Sequence, residues 1–525
     1  MNLQKLLLIN LIIISSIHTL VNGQVTFFNV YNMPNSDYAT SMCATSDGGF
    51  IVAGNAGYAN NAAPFVIKVN AWGDTLWSRL YYGNNKYSIV SLVQSFDGGY
   101  AFAGNVWGSV IGGNNTFLLK TDTSGNIVWV KMYQTGMHPN YPFQIIQTPD
   151  SGFAISGTYE PSVVNVGGAL LILTDKSGNL TLTRKYRNDD CFFYSLNHTR
   201  DNGYVFAGNM TSIDLSITKR NANGFTWTKT YSTLPNSIIG TQAQILQSPD
   251  GGYLVACTYI YYSAGQNYDY CIAKFDSTGN SIWVKTYGIT DDDEVQGISL
   301  TSDGGIVCVG TSTISGLQDG KINIIRTDSL GNLLWAKTFG GAQGDYGLSI
   351  KETADHGFAV LGSGTSYPPY YAYLLKTDSL GNAGCNQSIP MVQVTNPSIT
   401  ATANPPLDSS LSATELIPTL SQSSGCGMNT LCFYDPVTEI NNPEPNVTLS
   451  PNPTTKQFMI SGLEFTSAEI SIFNLTGEKI YSATCHEKST VNCELFPKGI
   501  YFVKITCTDC EGANENQVVR KLVVE

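Results

Sequence analysis

One short phrase, an acidic residue and a glycine turn opening a strand, recurs seven times along the chain: Asp47-Gly48-Gly49-Phe50, Asp97-Gly98-Gly99-Tyr100, Asp150-Ser151-Gly152-Phe153, Asp201-Asn202-Gly203-Tyr204, Asp250-Gly251-Gly252-Tyr253, Asp303-Gly304-Gly305-Ile306 and Asp355-His356-Gly357-Phe358. The aspartates are 50, 53, 51, 49, 53 and 52 residues apart. Turn chemistry held in register at that period, with only strand-like segments between, marks a repeat architecture built of small antiparallel sheets.

Each turn opens an apolar run such as Phe50-Ile51-Val52-Ala53 or Tyr204-Val205-Phe206-Ala207. These runs do not alternate, so both faces of the strand are expected to be covered. A second glycine turn follows at Gly73, Gly125, Gly178, Gly224, Gly279, Gly331 and Gly381, where positive φ suits a tight hairpin. Beyond it stand Trp77, Trp129, Trp227, Trp283 and Trp335, with Leu182 substituting once, and two residues on Arg79, Lys131, Arg184, Lys229, Lys285 and Lys337. The bulky series reads as packing between neighbouring units and the cations as protection of an outer sheet edge. After Gly381 that last strand is missing, and Val25 to Tyr31 supplies it from the other end. An all-β, seven-bladed β-propeller follows, its N-terminal strand closing the last blade.

In this arrangement both tight turns of a repeat lie on one face and the longer, variable connections on the other. Binding residues concentrate in such loops. Tyr58, Trp107, Tyr159, Tyr261, Tyr262 and Tyr370 are the aromatic candidates for a glycan or protein ligand. Asp37, Asp293 and Asp345, aligned ten residues before their turns, are the acidic ones. The run Asp291-Asp292-Asp293-Glu294 could offer oxygens to calcium, but it lacks the spaced ligands and central glycine of a known loop, so no cofactor or metal is assigned. No serine elbow, zinc-protease helix or phosphate loop is present, and no catalytic residue is assigned. Carboxylates on the loop-rich face of a polysaccharide-active enzyme are the alternative.

A net charge of -12 with 13% charged residues disfavours nucleic acid and anionic membranes. Lys5, the apolar run Leu6 to Ile14 and Val21-Asn22-Gly23 read as a signal peptide over residues 1–23, too short to span a bilayer, so no transmembrane segment is expected in the mature chain. Of twelve cysteines, Cys43, Cys191, Cys257, Cys271 and Cys308 read as buried thiols, and those from Cys385 onward as the better bridge candidates. Residues 24–385 form the propeller, and residues 386–446, rich in Ser, Thr, Asn and Pro, read as a linker.

From residue 447 strands return in the pattern of a small antiparallel sandwich, of immunoglobulin-like type. Ser450-Pro451-Asn452-Pro453, then Ile472 to Glu478 around Gly477, then Lys498-Gly499-Ile500-Tyr501-Phe502-Val503 and the terminal Lys521-Leu522-Val523 resemble the C-terminal sorting domain of the type IX secretion system of Bacteroidetes. The resemblance implies export through the outer membrane, handling by the type IX machinery, removal of this domain by a sortase-like protease, and a mature protein secreted or held at the cell surface. The repeats also look like propeller repeats of secreted proteins of those bacteria. The reading is a surface or released binding and adhesion module.

Overall fold

The computed structural model describes residues 24–524 apart from 33–36, 58–62, 110–112, 136–138, 161–166, 187–190, 211–213, 234–236, 262–266, 290–291, 314–319, 367–370, 385–386, 405–407, 411–412, 419, 424–426, 435–447, 451, 453, 462–467, 474–478, 486–488 and 508–516. Among the described residues there is no helix; the molecule is all β. It divides into two compact units, residues 25–433 and a C-terminal one.

Each repeat becomes one antiparallel unit of four strands. In the first they are Asp37–Ala44, Phe50–Ala56, Ala63–Val69 and Thr75–Gly83, hydrogen-bonded in that order. The same order starts again at Lys86, Asn140, Phe192, Ser237 and Asp292. The seventh unit has Asp345–Glu352, Phe358–Gly364 and Tyr371–Thr377 and takes Thr26–Asn32 as its fourth strand, with Phe27 opposite Lys376 and Val30 opposite Tyr373. First strands touch one another in sequence order, and the seventh touches the first.

The turns explain the repeat. In the first one Gly48 has φ +81°, and the Asp47 carboxylate accepts from the Thr45 hydroxyl and, at 3.1 Å, from the Gly49 N–H. A Cβ on Gly49 would lie 2.2 Å from the Val69 carbonyl oxygen, so only glycine fits there. Between units, the Trp77, Trp129, Trp227, Trp283 and Trp335 rings lie flush against Gly125, Gly178, Gly279, Gly331 and Gly381 of the next turn, where a Cβ would come within 2.9 Å of the indole. Four residues on, the hydroxyls of Tyr81, Tyr133, Tyr231 and Tyr287 donate to the carbonyls of Gly125, Gly178, Gly279 and Gly331 at 2.5 to 2.8 Å. Phe27 and Tyr31 of the N-terminal strand repeat both contacts on Gly73, with the Tyr31 hydroxyl 2.6 Å from its carbonyl.

The expected linker over 386–446 is corrected in its larger part. Residues 387–434 include seven short strands, each hydrogen-bonded to the fourth strand of a different unit, the first six antiparallel to it. Gln387 sits opposite Phe339, Val394 opposite Tyr287, Ala403 opposite Lys229, Ser409 opposite Lys185, Glu415 opposite Tyr133 and Gln422 opposite Tyr81; Gly427–Tyr434 then flanks Thr26–Asn32. The segment is thus a belt that visits the units in the order six, five, four, three, two, one, seven. A Ser- and Thr-rich chain suits this place, because such a strand needs only backbone pairing on one edge. The fourth strand is therefore not the outer edge, and its cations do not guard one. Lys229, Lys285 and Lys337 reach Asn280, Asn332 and Asn382 of the next unit at 2.8 to 3.0 Å, and Lys131 pairs with Glu415 of the belt.

In the C-terminal unit, Thr448–Ser450, Gln457–Ser461 and Ser489–Asn492 make one antiparallel sheet. Lys479–Cys485, Ala468–Phe473, Gly499–Cys507 and Gln517–Val524 make another. Phe458 and Ile460 of the first share a core with Ile470, Ile472, Val503 and Leu522 of the second. Cys493, a bridge candidate, is a buried free thiol in that core, as Cys257, Cys271 and Cys308 are in the repeats, where Cys191 is also buried; Cys43 is free and half-buried.

Candidate functional site

The end of each unit that carries the glycine turns is fixed by a repeated ion pair. Lys68, Lys120, Lys219, Lys274, Arg326 and Lys376 on the third strands reach Asp47, Asp97, Asp201, Asp250, Asp303 and Asp355 at 2.6 to 2.9 Å. Burial opposes ionisation of Asp250, but the hydrogen bonds of Lys274 and Ser248 outweigh it and hold the carboxyl down at about 2. The third repeat has Leu173 in place of the cation, and there Asp150, among the described residues, keeps only its turn bonds, to Thr148 and Gly152. Antiparallel order puts the opposite strand ends, with the longer connections, at the other end of each unit.

At that other end the acidic candidates anchor loops. Asp345 is fully buried, and one carboxylate oxygen accepts from the Gly341 N–H at 2.8 Å and the Ser366 hydroxyl at 2.6 Å. Asp293, also fully buried, accepts from the Ile289 N–H at 2.6 Å. Asn140 at the aligned position does the same for Thr116, at 2.7 Å from its N–H. Asp37 begins the first strand opposite Ala56. Tyr58, Tyr262 and Tyr370 lie outside the described residues. Tyr159 is buried under the Lys185 ammonium, 5.2 Å from the ring centre. Trp107 is half-buried opposite Lys86 near the end of its strand.

Two predicted residues do come together, around one that sequence reasoning missed. Asp269, on the third strand of the fifth unit, is pushed up to about 6 by burial and by the neighbouring Asp293, against a hydrogen bond from Tyr261 that lowers it. The Tyr261 hydroxyl also lies 3.1 Å from that of Thr286, and its ring is 4.6 Å from Tyr259. Asp269 packs so closely over Gly288 that a Cβ there would meet its Oδ1 at 2.6 Å. A carboxyl that titrates near 6 beside a second carboxylate can hold or release a proton near neutrality. The spacing marks Asp269 only weakly, because among the aligned residues Ala63, Asn115, Gly168, Asp214, Lys321 and Tyr371 just Asp214 shares its chemistry. Among the described residues no group of three or more His, Cys, Asp or Glu is placed to hold a metal ion.

In the C-terminal unit Tyr501 is buried, with its hydroxyl 2.5 Å from the Pro497 carbonyl, and Lys521 pairs opposite Phe502. Gly499 pairs with Val524, Asn452 is exposed, and Pro451, Pro453 and Gly477 lie outside the described residues. Residues 448–525 match the family described as the secretion system C-terminal sorting domain. The chain is accordingly a type IX secretion client, secreted and attached at the cell surface. No helix among the described residues is long and apolar enough to cross a membrane.

No curated protein matches the chain. Among solved structures it is similar to Sqt1 of Chaetomium thermophilum, at a TM-score of 0.37 and 10% identity over 66% of this chain and 97% of that one. The polysaccharide lyase Uly1 gives 0.37 and 7%, covering 66% and 90%. A PL25 ulvan lyase bound to -[GlcA(1-4)Rha3S]- gives 0.39 and 9%, covering 66% and 95%.

Proposed function

We propose that the chain is a seven-bladed β-propeller, strapped by its own belt and delivered by an immunoglobulin-like sorting domain, that works at the cell surface as a binding or adhesion module for a glycan or protein ligand. In this reading residues 1–23 are the signal peptide, residues 24–385 the blades, and the sorting domain is the part a sortase-like protease removes. The observation that carries the reading is the closed cycle of unit contacts, with Tyr31 from the N-terminal strand sealing the seventh unit onto the first. A rigid frame of that kind holds variable loops together on one face. The purified mature chain on a glycan array and against outer-surface protein extracts should retain one ligand class; no retention by either would remove the module reading.

A second reading rests on Asp269 and Asp293, a carboxyl pair with one member raised toward neutrality, as a polysaccharide-active enzyme would need. It predicts sugar release from a retained glycan that is lost in Asp269→Asn while retention persists. Retention without release in the parent chain would leave binding alone.

A further inference from the structure

Among the described residues no further strand pairs with the first strand of any unit on its inner edge, apart from single bridges at Ile239 and Asp292, and side chains of the preceding unit meet some of its amides, as Asn55 does for Ile89 and Ser91 for Ile145. Six of these seven strands carry one register shift at the same place, two residues of the strand facing one of its neighbour, and the fifth carries two, the second spanning Gln242 and Ala243. A bulge frees a residue from cross-strand pairing and re-aims its side chain. Repeated around the cycle, it takes one side chain per unit out of the cross-strand pairing on the innermost strands.

The identities of those side chains are not random around the cycle. Val90, Phe143 and Tyr194 occupy the bulges of units two, three and four, Gln242 shares the second shift of unit five with the buried Ala243, and Gln296 occupies the bulge of unit six; Leu348 and Thr40 complete the circle. Neighbours touch across the units. The Phe143 and Tyr194 rings are 5.2 Å apart, and Phe192 stacks on Tyr194 at 5.8 Å with 7° between planes. The Gln296 amide donates to Gln242 Oε1. All seven remain partly or largely open to solvent although they sit on the innermost strands, and none is charged.

We propose that this inner wall is a binding site for a neutral saccharide. The aromatic arc offers a flat apolar plate with a polar tip for the C–H face of a pyranose. The adjoining glutamine arc supplies both donors and acceptors for paired hydroxyls. An enclosed wall with a few convergent polar groups is the usual form of a small-ligand site. With no cation among the bulge residues, a uronate or sulfated unit would lose hydration there without gaining a partner. This inference rests on the binding-module reading and gives it a ligand class and a place.

The test uses the full mature chain with cellohexaose, maltohexaose, mannohexaose and, as the acidic contrast, tetragalacturonate, followed by calorimetry and ligand-observed NMR. At least one neutral hexasaccharide should bind, and Tyr194→Ala and Gln242→Ala should each weaken it about tenfold or more, while Tyr194→Phe keeps the plate and most of the affinity. Thermal melting of each variant separates lost binding from lost folding; Gln242 is largely exposed and its loss should leave melting unchanged. Equal binding by parent, Tyr194→Ala and Gln242→Ala would overturn the inner site yet leave the module reading standing. Preference for tetragalacturonate, or no binding of any probe, would overturn the neutral-saccharide assignment, and the module reading would then be judged by the array alone.

Discussion

Tyr133 illustrates how a single hydroxyl couples two units: its ring is buried and its O–H ends 2.7 Å from the Gly178 carbonyl of the next turn. Tyr133→Phe leaves that carbonyl without its donor and should cost about 1 kcal/mol in urea unfolding. The turn aspartates set the acid limit. Asp250 titrates near 2, below the value of about 3.9 for an unfolded chain, so its stabilisation is complete above about pH 4 and disappears as pH falls through 2. Asp250→Asn should therefore flatten part of the fall in melting temperature between pH 4 and pH 2. Asp269 has the opposite sign. Its folded value near 6 lies above the unfolded one, so its contribution is present below about pH 4 and is lost as pH rises through 6. Asp269→Asn should be more stable than the parent at pH 8, by up to about 2 kcal/mol, with the gap closing at pH 4, as followed by thermal melting in the two buffers.

At the scale of the strand, each belt segment is an independent addition to one unit. Prolines at Thr402 and Ala403, opposite Thr230 and Lys229, place one substitution on each pairing parity and must break the local ladder. Hydrogen exchange should then rise in Gly224–Ser232 and stay unchanged in the fourth strands of the other units. The repeated units themselves were legible in the sequence because the Asp-Gly turns, the hairpin glycines and the Trp series each answer a steric demand that few residues meet, as Gly49 and Gly125 show. The belt was not. Thr400–Asn404 is exposed at four of its five positions, so it carries no apolar period, and its Ser, Thr and Asn content matches that of an unstructured segment. The aspartates of the loop end were read as ligand residues because exposure cannot be seen in a sequence; burial and loop hydrogen bonds explain Asp293 and Asp345. The cation series on the third strands was visible in the sequence as Lys68, Lys120, Lys219, Lys274 and Lys376, but its partners lie across a turn some twenty residues away and only the paired strands bring them together.

For the whole molecule the N-terminal strand matters most, since Thr26–Asn32 is at once the fourth strand of the seventh unit, the partner of Gly73 in the first, and the support of the last belt strand. Deleting residues 26–32 should remove cooperative unfolding and lower melting by far more than any single substitution above, read as a broadened calorimetric transition. The belt runs counter to the order in which the units were laid down and ends beside that same strand. Tension drawn through the C-terminal side of the belt arrives first at Gly427–Tyr434. Those strands would then detach singly, each releasing a few residues of slack while the hub stays whole. Unwound completely, residues 387–434 could pay out roughly 160 Å of chain. The same segment that hoops the molecule at rest would serve as its mechanical fuse under load.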